Sequence, residues 1–187
     1  MSIARKLRTA LGDLWWVERN VRLRIRWSRT CRARVPVVGR LLSAWIDRSM
    51  LKTYGLDVNS GSIDIASLSI PHPVGVLLGG VGIHSPGRVV IMAGVKFGGV
   101  SPKNPAFLAK HKERRTFELG DNVVISTGAT LIGPLSICDN VIIAPQALVN
   151  KSITQPGIYI GTPARRISDE VTFDWVAHLP VPEGKEA

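Results

Sequence analysis

A histidine flanked by two prolines stands inside an apolar, glycine-rich stretch, "LSIPHPVGVLLGG", residues 68–80. Two prolines keep His72 out of a helix, and an imidazole is costly to bury without a partner. Imidazole is also the side chain that exchanges protons most readily near neutral pH, so it suits work as a general acid or base. The competing reading is a structural histidine that caps a corner of the fold. Few other residues compete for a chemical role. Cys31 and Cys138 are far apart, and no His, Cys and carboxylate spacing resembles a metal site, so no metal is expected. His178, in "DWVAHLPVP", follows the patterned part of the chain and reads as a tail residue.

The element that must position His72 is set by a repeat. Steps of six from Leu119 reach Ile125, Leu131, Ile137, Ile143 and Val149. Steps of six from Val123 reach Ala129, Leu135, Val141, Ala147 and Ile153, with turn residues such as "GDN", "STG" and "CDN" between. A period of six suits neither a helix nor an alternating hairpin. It suits short strands that turn after each hexad, so that three hexads close one eighteen-residue coil of a parallel β-helix, its neighbours about 4.8 Å away. A sandwich of short strands is the alternative. Upstream, Ile70, Val76, Leu68 and Val74 keep the pattern, as do Ile91, Val95 and Phe97. Asp64 falls where an aliphatic residue is expected, and one extra residue between His84 and Arg88 predicts a bulge. Residues 100–118 break the repeat with a basic, proline-bearing excursion, a length usually tied to function.

Charge divides the chain. Residues 1–52 hold 13 Lys and Arg against Asp13, Glu18 and Asp47, which accounts for the whole net charge of +10. The reading is a basic helical segment over 1–53, the β-helix over 54–168 and a tail over 169–187. "RLLSAWIDRSMLKTYG" has helical spacing at Leu41, Leu42, Trp45, Ile46 and Met50, and predicts a helix that ends at Gly55 and covers the first coil. Trp15, Trp16 and Trp27 stand among Arg19, Arg22, Arg24 and Arg26. That mixture suits an anionic membrane surface, or else a helical cap with solvated arginines. No nucleic-acid module is recognisable. No apolar run is long enough to span a membrane or to serve as a signal peptide, and the cysteine usage suits a reducing compartment; a cytoplasmic protein, at the inner membrane face at most, is expected.

The hexads, the "IPHPVGV" segment, the "GVKFGG" hexad before a loop and the closing "GIYIGTPARRI" resemble the serine acetyltransferase branch of the hexapeptide-repeat acyltransferases. The resemblance runs from about Tyr54 to Ser168. It implies a mainly β fold, a left-handed parallel β-helix behind a short helical segment, assembled as a homotrimer with active sites between neighbouring β-helices. It implies acetyl-CoA as co-substrate and an enzyme that acetylates a hydroxyl. His72 matches the family's catalytic base. Asp57, in "YGLDVNSG" fifteen residues earlier, matches its carboxylate partner. In an eighteen-residue coil that interval leaves His72 three short of a full turn, so both side chains are expected on one edge. A carboxylate there fixes the imidazole tautomer and steadies the imidazolium. Gly98 and Gly99 match positions that admit the pantetheine arm, Ser126, Thr127, Ala144 and Pro145 match corners lining the same channel, and Arg165 and Arg166 would meet the nucleotide phosphates.

The departures fall on the acceptor side. Pro71 replaces the family's aspartate before the histidine, and Arg115 is followed by Thr116 where the family has an Arg-His pair. Arg115 and His111 are the candidate acceptor contacts, and Asn20 is the nearest counterpart of an acidic substrate-binding position. The family's large helical domain is reduced here to about 53 residues, and "EGKEA" lacks its terminal isoleucine. Three functions follow: an O-acetyltransferase acting on serine or a similar small acceptor, one acting on a sugar of a surface polysaccharide or its precursor, and a non-catalytic trimeric scaffold.

Overall fold

The structure, a computed structural model, describes residues 16–35, 37–79, 82–99, 101, 103–113, 115–172 and 174–182. Two helices lead, α1 (Val17–Arg34) and α2 (Val38–Tyr54). Gly55 ends α2 in the left-handed region at φ 66°, and its N–H bonds back to Leu51, as a glycine C-cap does. Thirteen short strands follow: β1 (Asp57–Val58), β2 (Ile63–Ser69), β3 (Leu77–Leu78), β4 (Ile83–Ile91), β5 (Lys96–Gly99), β6 (Phe117–Leu119), β7 (Val123–Ile125), β8 (Thr130–Gly133), β9 (Leu135–Ile137), β10 (Val141–Ile143), β11 (Leu148–Val149), β12 (Gly157–Ile160) and β13 (Arg165–Ser168).

The strands wind into a three-faced coil. The first face runs β1-β3-β5-β8-β11. The larger sheet is two faces joined by long strands that turn a corner: Ile83 and His84 of β4 pair with β6, whereas Val89 to Ile91 pair with β7. The second face therefore holds β6, β9 and the first halves of β2 and β4. The third holds β7, β10, β12 and the second halves. All of these pairs are parallel, and the antiparallel strand β13 closes the third face against β12. All twelve residues named by the six-residue steps are buried in one core. Phe97 and Phe117 fill its middle edge to face, with centroids 4.9 Å apart.

The eighteen-residue coil is the rule only late in the chain. Asp57 pairs with Leu77, Leu77 with Lys96, Lys96 with Thr130 and Thr130 with Leu148, which are intervals of 20, 19, 34 and 18 residues. The interval of 34 contains the excursion, which carries a helix, α3 (Pro105–Glu113), where the sequence suggested a loop. The bulge expected between His84 and Arg88 is present, since β2 and β4 pair at an offset of 20 at Ile63 and 21 at Ser67. Asp121 closes it, accepting the Arg88 backbone N–H at 2.6 Å and the guanidinium at 3.3 and 3.2 Å.

That shift of phase corrects three placements made from the sequence. Asp64 is not in the interior: it points outward between buried Ile63 and Ile65, 2.9 Å from Arg29 and 3.2 Å from His84. Leu68 is only half-buried, and Val74 is 68% exposed. The interior places of that coil belong to Ile63, Ile65, Ile70 and Val76.

The helices cover the open edge of the first coil, where unpaired strands would otherwise meet solvent. Val21, Ile25, Met50 and Leu56 join the core. Asp47 accepts hydrogen bonds from the Ser28 and Ser60 hydroxyls at 2.8 and 2.6 Å, and Glu18 accepts one from Ser69 at 2.7 Å. Trp16, Trp27 and Trp45 are largely exposed, and Trp15 lies outside the described residues. Among the described residues no helix is long and apolar enough to cross a membrane. At the other end the chain returns over the outside of the third face. The short helix α4 (Asp174–Ala177) and Leu179 bury Val176 and Leu179 against Val90, Met92 and Val124, whose neighbours Val89, Ile91, Val123 and Ile125 point into the core.

Candidate active site

The corner between the third and first faces carries a column of left-handed residues, Gly55, Gly75, Gly94, Gly128 and Gln146. Each turn bonds to the one before, as Gly75 N–H does to Gly55 and Gly94 N–H does to Val74. A tight turn at positive φ favours glycine, which explains its recurrence there. His72 sits beside this column on a local enlargement. Ser69 pairs with Val90, 21 residues on, while Leu77 pairs with Lys96, 19 residues on, so two extra residues lie between 69 and 77. They fall at Pro71-His72-Pro73, where prolines cannot donate to a ladder, and the imidazole is pushed out to an exposed position.

His72 lines a cleft of about 410 Å³ between this bulge and the end of the helical layer, with Thr53, Tyr54 and Val17 opposite. The Tyr54 hydroxyl donates to buried Asn20 at 3.0 Å, and the Arg24 guanidinium lies 5.7 Å from the Tyr54 ring centroid. Asn20 thus holds a cleft wall in place. Tyr54 escaped notice in the sequence because it reads as the last turn of a helix; its place beside the Gly55 cap is the signal that puts it next to the first corner.

Asp57 is exposed on the first face, just past the same corner, and its backbone N–H bonds to Val76 at 2.9 Å. Because the first coil takes 20 residues, His72 is five short of a full turn from Asp57. The two side chains therefore lie on either side of the Gly55–Gly75 corner, and no hydrogen bond or ion pair joins them.

The remaining candidates divide between two edges. Ser126, Thr127, Ala144 and Pro145 lie on the corner of His72, in later coils between β7 and β8 and between β10 and β11. Gly98 and Gly99 end the first face at its other edge. A Cβ added at Gly98 would meet nothing within 4 Å, so nothing in the fold itself demands glycine there. Arg115 follows the excursion on that second edge. It lies 3.7 Å from Glu118, which also takes Lys110 at 3.6 Å, and faces a separate groove with His84 and Ser136. His111 is exposed on α3, and Thr116 is fully buried. Arg166 donates to the Pro156 carbonyl at 2.6 Å and Arg165 to Ala164 at 3.1 Å, both exposed on β13.

The clearest electrostatic shifts lie away from the cleft. Partial burial pushes the carboxyls of Asp64 and Asp121 up. Hydrogen bonds and charge from Arg29 and His84 at Asp64, and from Arg88 at Asp121, outweigh it and leave both below the ordinary carboxylate value. Burial raises the Cys138 thiol and the Tyr159 phenol. Among the described residues no group of three His, Cys, Asp or Glu side chains is placed to hold a metal ion.

No family model matches the chain. Serine acetyltransferase of Staphylococcus aureus strain Mu50 is 29% identical over 133 residues, 68% of this chain and 58% of the relative. The chain thus spans under two thirds of the curated relatives it matches. The crystal structure of Neisseria gonorrhoeae serine acetyltransferase superposes with a TM-score of 0.70 at 18% identity, over 87% of this chain and 59% of that one. A serine acetyltransferase in complex with CoA superposes with a TM-score of 0.57 at 18% identity, over 77% of this chain and 54% of that one. In sequence and in fold, this chain is similar to the serine acetyltransferases.

Proposed function

We propose that the chain is a CoA-dependent O-acetyltransferase of the serine acetyltransferase type, built on a left-handed β-helix and active as a homotrimer. The observation that carries the proposal is His72, exposed on a two-residue bulge of the coil corner in a chain related to those enzymes. The imidazole accepts the acceptor's proton as its oxygen attacks the thioester carbon, and returns a proton to the departing thiol. Asp57, across the corner, steadies the imidazolium once the site is assembled. Open space at Gly98 supports the passage of a pantetheine arm, and CoA bound to a relative of the same fold agrees with acetyl-CoA as co-substrate. Ser126, Thr127, Ala144 and Pro145 would line the channel, with Arg165 and Arg166 near the nucleotide phosphates.

The candidates occupy two edges of the coil, which supports a site formed where one edge of a copy meets the other edge of its neighbour. The acceptor is a small hydroxyl compound, serine or one like it, met by Arg115 and His111. A sugar hydroxyl is the second reading, favoured by one observation: Thr116 is fully buried and cannot contact an acceptor. Release of free CoA, followed with a thiol reagent against L-serine and a panel of sugar nucleotides, tests the proposal. Turnover with one acceptor, reduced about 10²- to 10⁴-fold in His72→Ala, is expected. Equal rates in both proteins would reject His72 as the base, and absence of acetyl-CoA binding in calorimetry would leave a scaffold.

A further inference from the structure

A second groove, of about 400 Å³, lies between α1 and β2 and shares no residue with the His72 cleft. Its floor is apolar, formed by Ile63, Ile65 and Leu68, and one wall is the row Arg22, Arg26 and Arg29. These arginines are four and three residues apart, so they share one face of the helix. Two of the residues that line the groove carry a buried polar atom with no partner, the Arg22 Nε and the Ser67 hydroxyl. Ser67 is only 6% exposed.

The chain answers these groups incompletely. Arg22 gives one terminal nitrogen to Glu18 at 2.9 Å, and Arg29 gives one to Asp64 at 2.9 Å. Arg26 pairs with no carboxylate among the described residues. Guanidinium groups along one helix face repel, and a buried hydroxyl without a partner is destabilising. A tetrahedral anion would relieve both at once. It presents several acceptor oxygens in different directions, which suits an Nε–H, a hydroxyl and a guanidinium fork carried by helix and strand around one groove.

We propose that this groove binds the phosphoryl group of a phosphate ester, with the apolar floor against the part of the ligand beside it. The source is either a free ester or a lipid headgroup, since the recognising chemistry is the same. Inorganic pyrophosphate is titrated by calorimetry into the full chain, and co-sedimentation is measured with phosphatidylcholine vesicles with and without phosphatidic acid. Saturable binding in at least one arm is expected, weakened about tenfold or more in Arg26→Gln and in Ser67→Ala, and unchanged in His72→Ala. Pyrophosphate binding alone assigns a free ester, and vesicle binding that requires phosphatidic acid assigns a lipid. Ser67→Ala should also melt no lower than wild type without ligand, because it removes an unsatisfied hydroxyl, which separates loss of binding from loss of fold. Absence of binding in both arms, or equal binding by wild type and Arg26→Gln, would overturn the proposal, whatever the outcome for acetyl transfer.

Discussion

At Gly98 the demands of the fold can be told apart from those of the proposed chemistry. Gly98 has an ordinary backbone and open space around its missing Cβ. Gly98→Ala should therefore leave stability unchanged or raise it by about 0.5 kcal/mol through the unfolded chain, while weakening CoA binding. Thermal melts and calorimetry with CoA check the two halves, and a large drop in melting temperature would return this glycine to a structural role. That His72 stands outside any helix was legible in the sequence because two prolines bracket it, yet its position relative to Asp57 was not. That relation depends on the number of residues in one coil, which is 20 at the first turn. The Ser67 groove was equally invisible, since an orphaned hydroxyl is a property of what surrounds it.

Bulges and caps decide where the hexads lie. Asp121 ties the bulge of β4 to the following coil, and its carboxyl sits below the ordinary value. A carboxyl lowered in the folded state adds stability above the unfolded value of about 3.9, and that contribution is lost as pH falls through the folded value. Asp121→Ala should cost about 2 kcal/mol in urea melts at pH 7, with the difference from wild type shrinking in acid. A difference that stays constant through acid would locate the effect in packing. The twelve aliphatic places between Leu119 and Ile153 were readable because the same inward demand recurs every six residues. Asp64 and Val74 were misplaced because the β4 bulge opposite Ile65–Ser67 and the two extra residues between Ser69 and Leu77 shift the phase, and a bulge is defined by pairing rather than by composition. The helix in the excursion escaped for a related reason: "PAFLAKHKE" has no apolar stripe spaced for one helical face.

Across the molecule, both ends of the coil are covered by other structure. The helices seal the first coil, the antiparallel β13 seals the third face at the other end, and the tail docks along its side. Val176→Ala should cost about 2 kcal/mol by removing buried methyl groups from the tail contact, read by denaturant melts. A loss below a few tenths would mean that the tail adds little to the fold. The basic segment forms part of this body: Arg29 reaches Asp64, and the arginine row of α1 lies against β2. Docking of the tail also fixes what the prism can offer to other copies. With Val176 and Leu179 seated on Val90, Met92 and Val124, part of the third side is taken by the chain itself, and the first and second sides, built from different strands, are unlike each other. A body with two unlike sides joins neighbours into closed rings or single rows, without branching.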